Sequence, residues 1–474
     1  MLTLADILEA LSGMRPDQGD QPVTEAVVDS RQAIPGCLFV ALPGENVDGH
    51  DFVQEAFGNG ARFALVQRDF SNQFPLLNLQ ADWQPDELFN VGDAPLCLLV
   101  QDSLQALQKI ARFWRRKLDL RVVGITGSVG KSTTKELVAE VLGQRYRTLK
   151  NPGNLNNEIG LPLTLLRLSD QHERAVLEMG FYVPGEIAFL CDLALPQIGV
   201  ITNVGTVHAE RAGSQEAIAR GKAELVEALP AAPQGVAILN YDDPWVRQMA
   251  DKTQAQVFFY GLDPNADLWA DGVESLGLEG IRFRLHYHGE VLHLRVPLLG
   301  RHSVHTALRA AAVGLLDNLT WQEIVNGLRS GHAQLRLVAV RAQSGALILD
   351  DTYNASPQST LAALNLLGEL EGRKVAVLGD MLELGQYESR GHEMVGVRVA
   401  EIADALVTVG ERGRMIAAAA IQAGLSRQVV TELASVEEAI ELLPKRLVSG
   451  DVVLIKGSHG MRMDRIVSAL EERS

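Results

Sequence analysis

The stretch from Arg121 to Leu142, RVVGITGSVGKSTTKELVAEVL, constrains this chain more than any other. Val122 to Thr126 is short, apolar and partly β-branched, and reads as a buried strand. From Ser132 onward, Thr134, Leu137, Val138, Val141 and Leu142 recur at helical spacing, so a helix follows. Between them Gly127, Ser128, Val129, Gly130 and Lys131 form a glycine-bearing turn that opens onto the helix N-terminus. Backbone N–H groups and the helix dipole favour phosphate oxygens there. Lys131 is placed to reach terminal phosphates, and the hydroxyl of Ser132, followed by Thr133, to sit on magnesium. The general phosphate-loop pattern has a glycine where this chain has Ile125, so only the shorter form Thr-Gly-Ser-x-Gly-Lys-Ser is met. The stretch predicts a nucleotide site on an α/β scaffold.

With 474 residues the chain has room for about two to four domains, each with its own core. Its 43 Lys+Arg against 59 Asp+Glu leave a net charge of −16, which argues against non-specific binding of nucleic acid or anionic membrane. A phosphorylated substrate must then be held by local donors and metal ions. Cys37, Cys97 and Cys191 are too far apart for a Cys-x-x-Cys pair and suit a reducing cytosol. The N-terminus lacks a basic region before an apolar core, and Thr3 with Asp6 reads as a capping box. No apolar run approaches membrane-spanning length, so a cytoplasmic protein is expected; a monomer is the expected state.

The first segment, residues 1–105, begins with that helix and continues through short strands such as Cys37 to Ala41 and Phe63 to Gln67. A polar stretch from Gln80 to Pro95 reads as a long surface loop. Asp29-Ser30-Arg31 and the run Gly44 to Phe52, with Asp48, Gly49 and His50, read either as donor-rich loops or as plain surface turns. A helix from Ser103 to Leu118 leads into the central segment, 106–333. There, strands at Ala175 to Leu177, Ile198 to Thr202 and Val236 to Leu239 alternate with helices such as Gln215 to Leu229, the pattern of a mostly parallel, helix-covered sheet. Ala270 to Leu298 alternates with a period near two and predicts attached antiparallel strands. On that pattern His286, His288 and His293 read as one exposed strand face rather than metal ligands. The last segment, 334–474, resumes the alternation with strands at Ala346 to Leu349, Val375 to Leu378, Ala405 to Val409 and Val452 to Ile455. It reads as a smaller Rossmann-like domain without Gly-x-Gly-x-x-Gly.

Ligands of open parallel sheets gather beyond the carboxyl ends of the strands. Glu178 sits there and reads either as a direct or water-mediated magnesium ligand or as a carboxylate capping a neighbouring helix. His208 follows the next strand end, and a lone histidine in such a place is more often structural. Lys222, on the helix beyond, reads by itself as a solvated lysine. Asn240 follows another strand and suits either adenine or ribose recognition or an Asx turn. Asn154, Asn156, Asn157 and Glu158 lie in a run whose amides suit an uncharged sugar or peptide surface.

The whole chain resembles the Mur ligases. The resemblance is carried by Thr126 to Ser132, Gly153 to Gly160, Leu177 to Gly180, Thr202 to His208, Asp350 to Pro357, Leu378 to Gly385 and Lys456 to Met463. It implies three α/β domains: a small N-terminal domain for a UDP substrate, a central ATPase and a C-terminal domain that closes over ATP. It makes Glu178 and His208 magnesium ligands, with Ser132, and matches Lys222 to a lysine that the family carbamylates to hold a second magnesium. By the same likeness Asp29, Ser30, Arg31 and the Gly44 to Phe52 loop lie near UDP, while Asn240, Arg336, Asp351, Tyr353 and Asn354 approach the nucleotide. Where the family usually has two asparagines after a Gly-x-His, this chain has Ser303 and Thr306, and His459-Gly460 replaces the usual Arg-Ser. The asparagine-rich run, GDMLELG and KGSHGMRM point to the member that joins D-alanyl-D-alanine to UDP-MurNAc-tripeptide. The alternatives are a folylpolyglutamate-type ligase, or a nucleotide switch that binds precursors without joining them.

Overall fold

The computed structural model describes residues 1–44, 47–81, 83–84, 94–206, 209–330 and 338–471. They form two compact units, each assembled from discontinuous stretches. The first comprises residues 1–124, 146–180 and 186–198, the second 125–145, 181–185 and 199–474.

The first unit opens with α1 (Leu4–Ser12). Thr3 Oγ1 accepts from the Asp6 amide and Asp6 returns a bond to the Thr3 backbone, so the predicted capping box is present. Gly13, at φ 79°, ends the helix. The strands β1 (Ala26–Val27), β2 (Leu38–Val40), β3 (Phe63–Val66), β4 (Leu76–Asn78) and β5 (Leu96–Leu99) make an all-parallel sheet in the order β1-β2-β3-β5-β4. Phe39, Ala41, Ala64 and Cys97 pack with Val53 and Ala56 of α2 (Val53–Gly58) on one face of it. Next comes α3 (Ser103–Lys117), capped by Asp102. Its buried Arg115 donates to the carbonyls of Ala194, Leu118 and Leu120, which satisfies the guanidinium without an acid. Much of the predicted Gln80 to Pro95 loop lies outside the described residues.

After α3 the chain enters β6 (Arg121–Thr126), which leaves the first unit at Gly124 and enters the second at Ile125, followed by α4 (Lys131–Leu142). The first unit regains the chain for β7 (Thr148–Lys150), α5 (Gly160–Leu165), the parallel neighbour β8 (Arg174–Glu178) and α6 (Glu186–Ala194). The compact units therefore do not follow the three expected segments one for one. Within the first unit α3 touches α1, α5 and α6.

The second unit continues through β9 (Ile198–Ile201), α7 (Ala209–Ala212), α8 (Gln215–Glu227), β10 (Val236–Asn240), α9 (Pro244–Arg247) and β11 (Gln256–Gly261). The antiparallel run predicted from alternation is β12 (Leu268–Ser275), β13 (Ile281–Tyr287) and β14 (Glu290–Val296), attached to β11 through a parallel β11–β12 pair. In this run His286 stacks on Trp269, ring centroids 3.7 Å apart. Then α10 (Val304–Leu316) and α11 (Trp321–Arg329) pack against α4.

The rest of this unit is a sheet in the order β15-β16-β20-β17-β18-β19. It comprises β15 (Val338–Arg341), β16 (Leu347–Asp350), β17 (Arg373–Gly379), β18 (Ala405–Val409), β19 (Val430–Leu433) and β20 (Asp451–Lys456). Only the pairing of β15 with β16 is antiparallel. Alternate residues of each strand feed opposite faces. Ala376, Leu378 and Leu454 meet α12 (Pro357–Glu369), α13 (Glu388–Ile402) and α14 (Gly413–Gln422). Val375, Val377, Val453 and Ile455 meet α15 (Val436–Arg446) and α16 (Asp464–Leu470) on the other face. Among the described residues no helix is long and apolar enough to cross a membrane.

Two contacts of this sheet layer generate tests. A Cβ on Gly396 of α13 would lie 2.4 Å from the Ile416 carbonyl of α14, so Gly396→Ala must part the helices. It should cost about 1–3 kcal/mol in urea unfolding. His392 is fully buried, donates from Nδ1 to the Glu388 carbonyl and accepts the Met381 amide on Nε2. Burial, with Arg412 nearby, pushes its pKa below 6.5 against the pull of Glu388 and Asp380. The unfolded chain thus binds more protons below pH 6.5, and this part of the stability is present above that pH and lost on acidification. The unfolding midpoint should fall between pH 7.5 and 5.5, and His392→Gln should flatten that slope.

Candidate active site

The phosphate loop is built by exclusion. A Cβ on Gly127, at φ 145°, would lie 1.8 Å from Thr202 Oγ1, so only glycine lets the end of β6 pass the end of β9. The residues after β9 then hold the loop. Asn203 donates to the Val129 carbonyl at 3.0 Å and accepts the Val129 amide on Oδ1 at 3.0 Å, and its own carbonyl accepts the Ser128 amide at 2.9 Å. Thr202 Oγ1 also donates to the Val129 carbonyl, at 2.7 Å, and Ser128 Oγ accepts the Gly205 amide at 2.8 Å. Gly130, at φ 85°, is the left-handed residue that turns the chain into α4, and Thr134 Oγ1 bonds its carbonyl. Lys131 Nζ donates to the Gly127 carbonyl at 2.8 Å.

Ser128 to Thr133 line a cavity of about 180 Å³ whose other wall is Asp351, Tyr353, Asn354, Ala355, Ser356 and Lys456. Buried Lys456, at the end of β20, donates to Asp351 Oδ2 at 2.6 Å and to the Asn354 carbonyl at 2.7 Å, fixing the loop that ends at the Ser356 cap of α12. The structure brings Asp351, Tyr353 and Asn354 together with Gly130, Lys131, Ser132 and Thr133 around one cavity. Ser303 and Thr306, the departures from the family pattern, also line this cavity. The ring of His459 lies 5.8 Å from that of Tyr353. In the sequence Lys456 stands only as the first residue of a family motif, with no role of its own, although a lysine closing the apolar strand DVVLIK signals one. His208 and Arg336 lie outside the described residues. Asn240 is not among the lining residues: its Oδ1 accepts the Asp242 amide in an Asx turn and its Nδ2 donates to the Thr202 carbonyl.

Lys222 corrects its reading as a solvated helix lysine. It is 1% exposed, with Nζ 4.7 Å from the centre of the Phe181 ring. Gly221 makes this possible, since a Cβ there would lie 2.0 Å from that ring. Ile218 and Leu225, four residues before and three after, share its buried face, a spacing legible in the sequence. Burial, and secondarily the charge of Lys131, push the Lys222 pKa well below its usual 10.5, so the amine is held toward its neutral form.

In the first unit the asparagines surround Glu178, which is 1% exposed. Asn156 Nδ2 donates to Glu178 Oε1 at 2.9 Å, and Asn151 exchanges bonds with both backbone groups of Glu178. Asn157 Oδ1 accepts the Gly160 amide at the start of α5, while Asn154 and Glu158 are exposed. Oxygen donors such as Ser132 and Glu178 suit magnesium. Among the described residues no three His, Cys, Asp or Glu side chains cluster at metal-binding spacing.

The two turn-rich runs of this unit separate. His50 is buried, its Nδ1 2.6 Å from Asp48 and its Nε2 accepting the Gln67 amide, so it fastens its turn to the end of β3. Gly49 lies under Leu42, where a Cβ would meet backbone at 2.8 Å, and a Cβ on Gly44 would lie 2.6 Å from the Val47 carbonyl. Asp29 caps the following turn, Ser30 bonds Glu55 at 3.0 Å, and Arg31 projects into solvent, paired with Asp29.

Three family models match in succession: the Mur ligase family catalytic domain over residues 23–115, the Mur ligase middle domain over 125–314 and the Mur ligase glutamate ligase domain over 335–459. The UDP-N-acetylmuramoyl-tripeptide--D-alanyl-D-alanine ligase of Bacillus subtilis is 36% identical, covering 99% of this chain and 98% of its own. The Escherichia coli ligase of the same name is 33% identical over the same shares. The crystal structure of MurF from Acinetobacter baumannii superposes with a TM-score of 0.83 at 30% identity, covering both chains in full. MurF ligase from Thermotoga maritima in complex with ADP gives 0.76 at 29% identity, covering 94% of this chain and 97% of that one. With three family domains in order and full-length relatives above 30% identity, this chain belongs to the Mur ligase family.

Proposed function

We propose that this chain is a cytoplasmic ligase of peptidoglycan precursor synthesis, joining D-alanyl-D-alanine to UDP-MurNAc-tripeptide at the expense of ATP. The observation that carries this reading is the cavity between the phosphate loop and the Asp351 to Ser356 loop, in a chain that matches ligases of that name over its full length. A carboxylate is a poor acyl donor because oxide would have to leave. The terminal carboxylate of the tripeptide therefore attacks the γ-phosphorus; an O–P bond forms, ADP departs, and an acyl phosphate results. The dipeptide's amine nitrogen then attacks the acyl carbon, the N–C bond forms, a proton is lost and phosphate leaves.

Each residue has a part in this. The first turn of α4 and the loop amides cradle phosphates, and Lys131 leaves the Gly127 carbonyl to neutralise the transferring group. Asp351, Tyr353 and Asn354 meet the nucleotide from the other wall, and closing it excludes the water that would hydrolyse the acyl phosphate. Magnesium, when bound, would supply further neutralisation of phosphate charge; Ser132, Glu178 and His208 would be its ligands by family likeness. Lys222 would become a further ligand if carbamylated. Its neutral amine attacks the carbon of carbon dioxide, forms an N–C bond and sheds a proton, leaving a carboxylate-like group. A buried amine with a depressed pKa is primed for that step. Asp29, Ser30, Arg31, the Gly44 to His50 turn and the Asn154 to Glu158 run face the UDP-tripeptide.

Phosphate release measured with UDP-MurNAc-tripeptide, D-alanyl-D-alanine and ATP, each omitted in turn, tests the function: release should need all three. Release without the dipeptide would favour a nucleotide switch, and release with glutamate and a folate in its place would favour the folylpolyglutamate-type ligase. Lys131→Ala should fold as the parent does and lose turnover by about a hundredfold or more. Near-normal turnover would sink the mechanism. Lys222→Ala should lose activity and recover part of it when acetate or formate is added. Full activity without rescue would remove the carbamate.

A further inference from the structure

The helix α10, VHTALRAAAVGLL, is apolar nearly all round, yet it carries one arginine. Arg309 is 4% exposed and packs behind the phosphate loop: a Cβ on Gly130 would lie 3.3 Å from its Nη2. Nη2 donates to Thr306 Oγ1 at 2.8 Å, and Nη1 donates to Tyr260 Oη at 3.2 Å. Among the described residues Nε has no hydrogen-bond partner. Among the described residues no carboxylate lies within 4 Å of the guanidinium; the neighbouring Asp242 is taken by His305 at 2.8 Å. A buried cation without a counter-ion is costly. Arg115 in the first unit shows how this fold otherwise satisfies such a group, with three carbonyls.

The contacts Arg309 does make lead to the phosphate cavity. Tyr260 Oη donates onward to the Ile201 and Thr202 carbonyls, and Thr202 braces Val129. Thr306 lines the cavity itself. His302, another wall residue, is exposed, yet its imidazole pKa is pushed down to about 4, first by the surrounding protein atoms and then by the neighbouring His305, Arg309 and Lys456. The guanidinium of Arg309 thus stands directly behind two residues of the cavity wall, Gly130 and Thr306.

We propose that Arg309 is a nucleotide-positioning residue whose counter-ion is the bound phosphate chain, with Thr306 and Gly130 transmitting its charge and orientation to the cavity. This rests on the nucleotide-binding reading above. Arg309 does not touch the reacting atoms. It trades stability of the empty protein for affinity: the unpaired charge is a burden without nucleotide and an attraction with it.

Binding of ADP with magnesium to the full-length protein, by calorimetry, and the thermal midpoint of the nucleotide-free protein test this in Arg309→Met and Arg309→Gln. Both variants should keep or raise the nucleotide-free midpoint, weaken ADP on the order of tenfold or more, and raise KM for ATP more than they lower kcat. ADP affinity within threefold of the parent in both variants overturns the proposal. So does a lower nucleotide-free midpoint in both, the mark of a guanidinium that only fills space. If the parent itself fails to bind ADP, the nucleotide reading falls first, and the variants are not the cause.

Discussion

The second unit's site depends on a contact that leaves no room for a side chain: Gly127 against Thr202. With 1.8 Å between a would-be Cβ and a hydroxyl, the ends of β6 and β9 meet at backbone distance. Asn203 can then take both polar groups of Val129 and the amide of Ser128. The loop is thereby held in shape before any ligand arrives. Preorganised donors need not reorganise when charge develops, the principal economy of an electrostatic site. It also explains why the chain tolerates Ile125 where the general pattern has glycine: that residue is wholly buried in the strand, and the turn begins only at Gly127.

The protein buries charges in both units and treats them differently. Lys456 is matched to Asp351 and a carbonyl, so it fixes the opposite wall. Lys222 lies against an aromatic ring with its pKa depressed, so burial stores nucleophilicity rather than charge. Glu178 keeps one oxygen on Asn156, an amide that orients a carboxylate without neutralising it. Low dielectric makes each choice count for more than it would at the surface.

Local features were legible in the sequence because their causes are local. The Thr3 and Asp6 box, the β6 to α4 turn and the period-two run of β13 each declare themselves within a few residues. β1, β4 and β7, at two or three residues each, are too short to show a period, and antiparallel β15 exists only through its pairing with β16. Partners distant in sequence were the harder part. His50 looked like a loop donor until Gln67 and Asp48 used both its nitrogens, and Lys222 looked solvated until Phe181 covered it. Asn203 was quoted inside a motif for the sake of His208, although its own amide shapes the phosphate loop.

Net charge and local charge pull in opposite directions in this chain, and the site resolves the conflict. An overall charge of −16 repels a polyphosphate at long range, but that repulsion is screened beyond about 8–10 Å at physiological salt. At the cavity wall the balance reverses. Lys131 and Lys456 line the cavity, Arg309 stands behind it, and Asp351 is the one carboxylate among the described lining residues. A polyanion that reaches the cavity therefore meets cations already in place, on a protein whose remaining surface keeps other polyanions away.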